Sequence, residues 1–135
     1  MPFLIDTGAL YALADPDDAW HQRMKEFVEG EPRILLVPVT VVPEATYLLR
    51  ERLGRSAENL FVESLAAGEM TLEPLKPGDL TRSAELMKRY DFLGFVDSSL
   101  VAMAERLRLT ALVTTDRRDF RRVRPRHVKA FELLP

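Results

Sequence analysis

Three short runs in this chain are apolar at every position: Phe3-Leu4-Ile5, Ile34-Leu35-Leu36-Val37 and Ala111-Leu112-Val113. A strand with one wet face alternates apolar and polar residues, so unbroken runs of this length fit strands covered on both sides. Between them lie longer stretches with apolar residues at helical spacing. Parallel strands need long crossovers, and helices supply both the crossover and the cover. The pattern predicts an α/β fold with a mostly parallel central sheet flanked by helices. The chain has 135 residues, 47% of them hydrophobic, which suits one domain over 1–135 with a single core.

Turn and cap residues divide the rest. Ala9 to Ala14 continues the first strand as a short helix. Asp17 or Asp18 is placed to cap a second helix bearing Trp20, Met24, Phe27 and Val28, which ends at Gly30 and Pro32. After Pro38 closes the second strand, Thr40 reads as an N-cap. Pro43 and Glu44 then fall in a first turn, and Ala45, Leu48, Leu49 and Leu53 follow as far as Gly54. Ser56 is expected to cap the next helix, with Leu60, Phe61 and Leu65 inward. Met70 to Leu75 reads as a strand, and Pro77 to Tyr90 as a helix with Leu80, Ala84 and Met87 inward. Asp97 to Leu107 reads as a helix and Val128 to Leu134 as a last strand. Trp20, Phe27, Tyr47, Phe61 and Leu65 are candidates for an apolar groove between the early helices.

Composition removes several function classes. There are no cysteines, which excludes disulfides and thiolate metal sites. The net charge of -2 is not that of a general nucleic-acid binder. Affinity for an anionic polymer must come from a local patch or from metal ions. No apolar run approaches the roughly 20 residues of a membrane helix. The start, MPFLIDTGAL, lacks the basic stretch and cleavage site of a secretory signal. A soluble cytoplasmic protein is the expectation.

Ligands of a parallel α/β sheet bind beyond the carboxyl ends of its strands. Asp6 directly follows the first strand, and Asp116 directly follows the strand Ala111–Thr115. Glu44 lies just after the second strand, and Asp97 opens the helix leading to Asp116. If the strands before Asp6, Glu44 and Asp116 are neighbours, all four carboxylates share one rim. Two such charges 4 Å apart repel by about 4 kcal/mol at an effective dielectric near 20. A bound cation or a protonated acid relieves this. Oxygen ligands without His or Cys favour Mg²⁺ or Mn²⁺, ions suited to phosphodiester cleavage. Each acid also has a structural explanation. Glu44 and Asp97 sit where a helix dipole favours negative charge, Asp116 has Asp119 at capping-box spacing, and Asp6 can cap the following helix.

The segments FLIDTGAL (3–10), VVPEATYLL (41–49), GFVDSSLVAMAERL (94–107) and LVTTDRRDF (112–120) carry a resemblance over essentially the whole chain. In order and spacing the sequence resembles the PIN-domain family, specifically VapC-type toxins of toxin–antitoxin pairs. The resemblance implies a PIN-like three-layer sandwich and a metal-dependent endoribonuclease. It implies that Asp6, Glu44, Asp97 and Asp116 form the acidic quartet around Mg²⁺ or Mn²⁺, with Thr7 and Thr115 supporting them. Asp119 matches a further acid whose part in metal binding varies among members. The resemblance also implies an RNA substrate, a homodimer, and a cognate antitoxin whose tail covers the site in a heterotetramer or larger assembly. One position departs. Members often carry Ser or Asn two residues after the first Asp, and here that residue is Gly8.

Arg117, Arg118, Arg121 and Arg122 begin a basic run continued by Arg124, Arg126 and Lys129, and can face RNA phosphates or solvent. His21 and His127 have no partner at metal-ligand spacing. Ser98 and Ser99 follow Asp97 without a Ser-His-Asp arrangement. An Asp-based phosphoryl-transfer domain of the dehalogenase type needs D-x-D after its first strand, but Thr7-Gly8 follows Asp6. The other alternative, a non-catalytic interaction module of the same fold, has no need of four acids.

Overall fold

A computed structural model describes residues 1–135. The chain runs β1 (Phe3–Ile5), α1 (Thr7–Ala14), α2 (His21–Gly30), β2 (Leu35–Pro38), a 3₁₀ turn (Val39–Val41), α3 (Val42–Leu53), α4 (Arg55–Ala66) and β3 (Thr71–Glu73). It continues through α5 (Pro77–Arg89), α6 (Phe95–Leu107), β4 (Ala111–Val113), α7 (Arg117–Arg122) and β5 (Glu132–Leu134). No helix is long and apolar enough to cross a membrane.

The five strands form one sheet in the order β3-β2-β1-β4-β5, with every pair parallel. The registers Phe3↔Leu35, Leu4↔Leu112 and Ile5↔Val113 align the three apolar runs side by side at the centre. All six residues of β1 and β4 are buried. The edge strands β3 and β5 are short and largely exposed. Their sequences carry less of the two-sided burial signal, so the stretches read from Met70 and from Val128 shrink to three residues each. From β1 the chain builds outward through β2 to β3, then returns to place β4 on the other side of β1. The strand order therefore reverses between β1 and β4, which opens a crevice beyond their carboxyl ends.

Helix α6 is covered nearly all round. Every residue from Ser98 to Ala104 is buried, which marks a central helix rather than an amphipathic surface one. It joins β1, β4 and the inner faces of α1 and α3 in one cluster of 27 buried hydrophobic residues.

Several local expectations change. Thr40 is not an N-cap: it lies in the 3₁₀ turn, and its hydroxyl shares a 2.6 Å hydrogen bond with that of Ser99 on α6. Gly54 rather than Ser56 precedes α4. Its φ of 98° suits a residue without a Cβ, and its N–H reaches back to the carbonyls of Leu49 and Arg50. Trp20 rather than Asp17 or Asp18 precedes α2, and the Asp18 carboxylate accepts from the Trp20 N–H one step earlier. The expected groove is only partly present. Phe61 lines an apolar hollow of about 280 Å³ with Leu10, Leu13, Leu49, Leu60 and Met70. Phe27 instead packs on Phe3, and Trp20 lies under the Arg23 guanidinium.

The largest departure is the face of α5. Leu80, Ala84 and Met87 point to solvent, and the buried residues are Asp79, Ser83 and Leu86. A polar lattice fixes this rotation. Arg106 of α6 holds the carboxylates of Asp79 and Glu73 at 3.0 Å each, and Asp79 also accepts from the Lys76 N–H at 2.9 Å. Arg82 holds Glu105 at 2.7 Å. Rotating the apolar stripe inward would break these pairs and leave buried charge without a partner.

This rotation has a measurable consequence. Asp79→Ala is expected to cost about 3 kcal/mol or more, and Leu80→Ala within about 0.5 kcal/mol, in urea unfolding at neutral pH. The reverse order would restore the apolar stripe to the core.

Candidate metal centre

The crevice at the β1/β4 reversal is a cleft of about 420 Å³. Asp6, Thr7, Gly8, Glu44, Leu48, Gly94, Phe95, Val96, Asp97, Thr115 and Asp116 line it. All four acids singled out from the sequence are present, and no Lys or Arg is among the lining residues. Each acid arrives by a short route from the sheet. Asp6 leaves β1 directly, its N–H held by the Val113 carbonyl at 2.9 Å. Asp116 follows β4 and caps α7. Glu44 lies in the first turn of α3 and Asp97 in the first turn of α6. The Thr40–Ser99 bond ties the 3₁₀ turn before α3 to the first turn of α6, fixing these two helix starts to each other.

Asp6 is the most constrained acid. Only 6% exposed, it accepts the Thr7 N–H at 2.6 Å on one oxygen and the Thr114 hydroxyl at 2.7 Å on the other. Burial pushes its carboxyl above the usual range. The two hydrogen bonds oppose that rise, while the charges of Asp116 and Glu44 add to it. Asp97 is raised from the usual 3.8 to about 7, first by burial and then by Asp6, Asp116, Glu44 and Asp119. Carboxylate oxygens of Asp97, Asp116 and Asp119 all lie within 4.8 Å of one another. At that separation each charged pair repels by about 3–4 kcal/mol at an effective dielectric near 20.

The donor set fits a hard divalent cation: several carboxylates, no nitrogen or sulfur ligand, and no basic side chain to neutralise them. Beside the acids, the hydroxyls of Thr7 and Ser98 are buried without a hydrogen-bond partner. Asp119 joins the closest carboxylate group, although it is not among the residues lining the cleft.

The supporting hydroxyl differs from the expected one. Thr114, not Thr115, bonds to Asp6, and Thr114 Oγ1 also accepts the Asp116 N–H at 2.9 Å. One buried hydroxyl thus links the acid after β1 to the acid after β4. Thr114 is fully buried just past β4, whereas Thr115 is half-buried. Thr115 instead faces the cleft, where its hydroxyl stands against Gly8. A Cβ built on Gly8 would collide with the Thr115 hydroxyl oxygen, so the room vacated at position 8 is filled from the β4 side.

The basic run divides. Arg117 lies over Trp20 and Arg122 over Phe92, at 5.3 Å and 3.8 Å, while Arg118 and Arg121 are exposed. The Arg126 side chain is directed away to Glu85, and its backbone N–H donates to Glu105. None of the four arginines Arg117, Arg118, Arg121 and Arg122 lines the cleft. His21 and His127 bind the carbonyls of Ala12 and Leu109. A larger cleft of about 540 Å³ lies at the other end of α6, but its Arg82, Arg106 and Arg126 are all ion-paired.

A parallel sheet in this order with an acid-lined crevice at its reversal is the arrangement expected of a PIN domain. The PIN domain model matches residues 3–125, and the chain belongs to the PIN-domain family. It is similar to ribonuclease VapC26 of Mycobacterium tuberculosis, with 31% identity over 98% of this chain and 99% of that protein. Among solved structures it resembles VapC20 of M. tuberculosis, a Sarcin-Ricin loop cleaving toxin, at a TM-score of 0.77. The identity is 21%, covering 84% of this chain and 91% of the other. A toxin–antitoxin complex from Klebsiella pneumoniae contains a chain matching at a TM-score of 0.71 and 21% identity, over 90% of this chain and 92% of that one.

Two substitutions test the geometry. Thr114→Val removes both bonds of that hydroxyl and leaves Asp6 and the Asp116 N–H unmatched. A loss of about 1–3 kcal/mol is expected, with Thr114→Ser recovering most of it in thermal unfolding. Gly8→Ala is expected to be better tolerated beside Thr115→Ala than in the wild type, where the Thr115 hydroxyl must turn aside. A double-mutant cycle should then show coupling on the order of 1 kcal/mol, and additivity would mean that the two positions do not meet.

Proposed function

We propose that this chain is a divalent-metal-dependent endoribonuclease and the toxin of a VapBC-like toxin–antitoxin pair. The observation that carries the reading is the cleft itself: four carboxylates gathered at the β1/β4 reversal without a neutralising basic residue. Membership of the PIN-domain family and the similarity to ribonuclease VapC26 support it.

Asp97 and Asp116 would hold the ion, with Asp6, Glu44 and Asp119 contributing directly or through water. A bound Mg²⁺ or Mn²⁺ supplies positive charge to the phosphodiester and acidifies the attacking water. The protein's own part is placement. Thr114 and the Thr7 N–H fix both oxygens of Asp6, and Asp116 is held through its backbone to the same hydroxyl. Glu44, the exposed member, is free to orient water. Arg117, Arg118, Arg121 and Arg122 would meet the phosphates flanking the cut, giving salt-sensitive binding. The solved toxin–antitoxin complex from K. pneumoniae supports an antitoxin as partner, and a homodimer in a heterotetramer or larger assembly is what the family resemblance implies. The apolar hollow around Phe61 suits a partner segment.

RNA cleavage with mapped ends, dependent on Mg²⁺ or Mn²⁺ and abolished by chelation, tests the activity. Asp97→Asn is expected to lower it at least ~100-fold. The same variant gives a pH signature. The folded chain retains the Asp97 proton up to about 7, whereas the unfolded chain loses it near 3.8. The metal-free fold therefore loses stability as pH rises through that window. At pH 8 without metal, Asp97→Asn should melt several degrees above wild type, and below about pH 4 the two should converge. Divalent ion should raise the wild-type Tm more than that of the variant. Equal stabilisation of both would remove Asp97 from the metal site.

A further inference from the structure

The cleft is not acidic throughout. Leu48, Phe95 and Val96 give it an apolar patch beside the carboxylates. Phe95 is the first residue of α6, two before Asp97, and its side chain is 42% exposed. It is the one aromatic residue lining the cleft, and several rings elsewhere are engaged. Tyr90 and Phe92 pack together at 5.5 Å, Arg122 covers Phe92, and Arg117 and Arg23 cover Trp20. Phe95 has neither a ring nor a guanidinium partner. Leu48 reaches the same cleft from α3, one turn beyond Glu44 on the same helix face.

A cation and a phosphate need no apolar surface. The patch is therefore matched to another part of the molecule that enters the cleft. In a single-stranded polynucleotide each phosphate is flanked by flat bases that unstack readily and pack on aromatic side chains. A phosphate engaged by the acidic group brings its neighbouring base within a side chain's reach. The exposed ring facing that space is Phe95.

We propose that Phe95, backed by Leu48, is the stacking platform for the nucleobase next to the scissile phosphate. This deepens the ribonuclease reading and rests on it. The platform grips any base through its π face, so it sets how the strand is held and unstacked, and favours single-stranded or looped RNA over a duplex. It is a substrate-binding role, distinct from the chemistry of the acids.

The test uses the intact protein and a single-stranded RNA oligonucleotide spanning a cut mapped by end sequencing. An abasic nucleotide is placed at each position flanking the cut in turn. Phe95→Ala is expected to lower kcat/KM on the intact RNA about 5- to 150-fold, with most of the effect in KM. At one flanking position, removing the base should cost the wild type a similar factor and cost Phe95→Ala little more. Phe95→Tyr should retain activity. Phe95→Leu keeps apolar bulk without a π face and should behave like Phe95→Ala. Equal losses for Phe95→Ala on intact and abasic RNA at every position would overturn the proposal. So would unchanged RNA kinetics together with a changed oligomeric state in gel filtration, which would make Phe95 a protein contact. Fluorescence anisotropy of a labelled mixed-sequence single-stranded RNA, with Asp97→Asn as background, separates the two readings. Binding that depends on Phe95 and on the base, without any cleavage by the wild type, removes the nuclease reading and leaves the platform. Cleavage without base-dependent coupling removes the platform alone, and neither binding nor cleavage removes both.

Discussion

Repulsion among carboxylates at the β1/β4 crevice is the constraint that the rest of this structure answers. Asp97, Asp116 and Asp119 present oxygens within 4.8 Å of one another, and Asp6 and Glu44 add their charge to the same field. No folding benefit offsets such crowding, because each charge is disfavoured by its neighbours and partly removed from water. The arrangement persists because the acids are attached to parts of the fold that cannot relax away from one another. Asp6 and Asp116 are the next residues after, or within three of, the ends of adjacent central strands. Glu44 and Asp97 sit in first turns of helices braced by the Thr40–Ser99 bond. Site strain is thus supported by the 27-residue core beneath it.

The polar lattice between α5 and α6 contributes from the far side. Helix α6 starts at the acids and ends at Arg106, which is locked to Asp79 and Glu73. A helix held at both ends and buried through its middle places Asp97 more firmly than propensity or a cap would. The lattice is a costly way to join two helices, since buried pairs rarely exceed the stability of apolar contacts of the same size. Its directionality, however, defines the rotation of α5 against α6, which an apolar seam defines less sharply.

Sequence reasoning succeeds where burial is total. Phe3-Leu4-Ile5 and Ala111-Leu112-Val113 have no polar face, so strand type, parallel pairing and the positions of Asp6 and Asp116 follow together. Glu44 and Asp97 were less legible, because a helix N-terminus accounts for an acid without any site. The face of α5 misled for a different reason. Leu80, Ala84 and Met87 form a proper apolar stripe, and only the long-range partner Arg106 explains why Asp79 displaces it. Partners 27 residues apart leave no periodicity to read. The two threonines of Val113-Thr114-Thr115-Asp116 show the finest limit. Both carry a hydroxyl, and alternation sets them on opposite sides without saying which side Asp6 occupies.

The second of these threonines bears on the departure at position 8. The family resemblance leads to the expectation of Ser or Asn there, two residues after the first acid, in the first turn of α1. In this chain the space above Gly8 is taken by the hydroxyl of Thr115, from the strand paired with β1. A side chain at position 8 and the hydroxyl at 115 are mutually exclusive in the present geometry. The cleft consequently has a polar oxygen at this spot, supplied from position 115. Reading the motif around Asp6 alone would score Gly8 as a loss, whereas the β1/β4 pairing makes Gly8 and Thr115 a single unit.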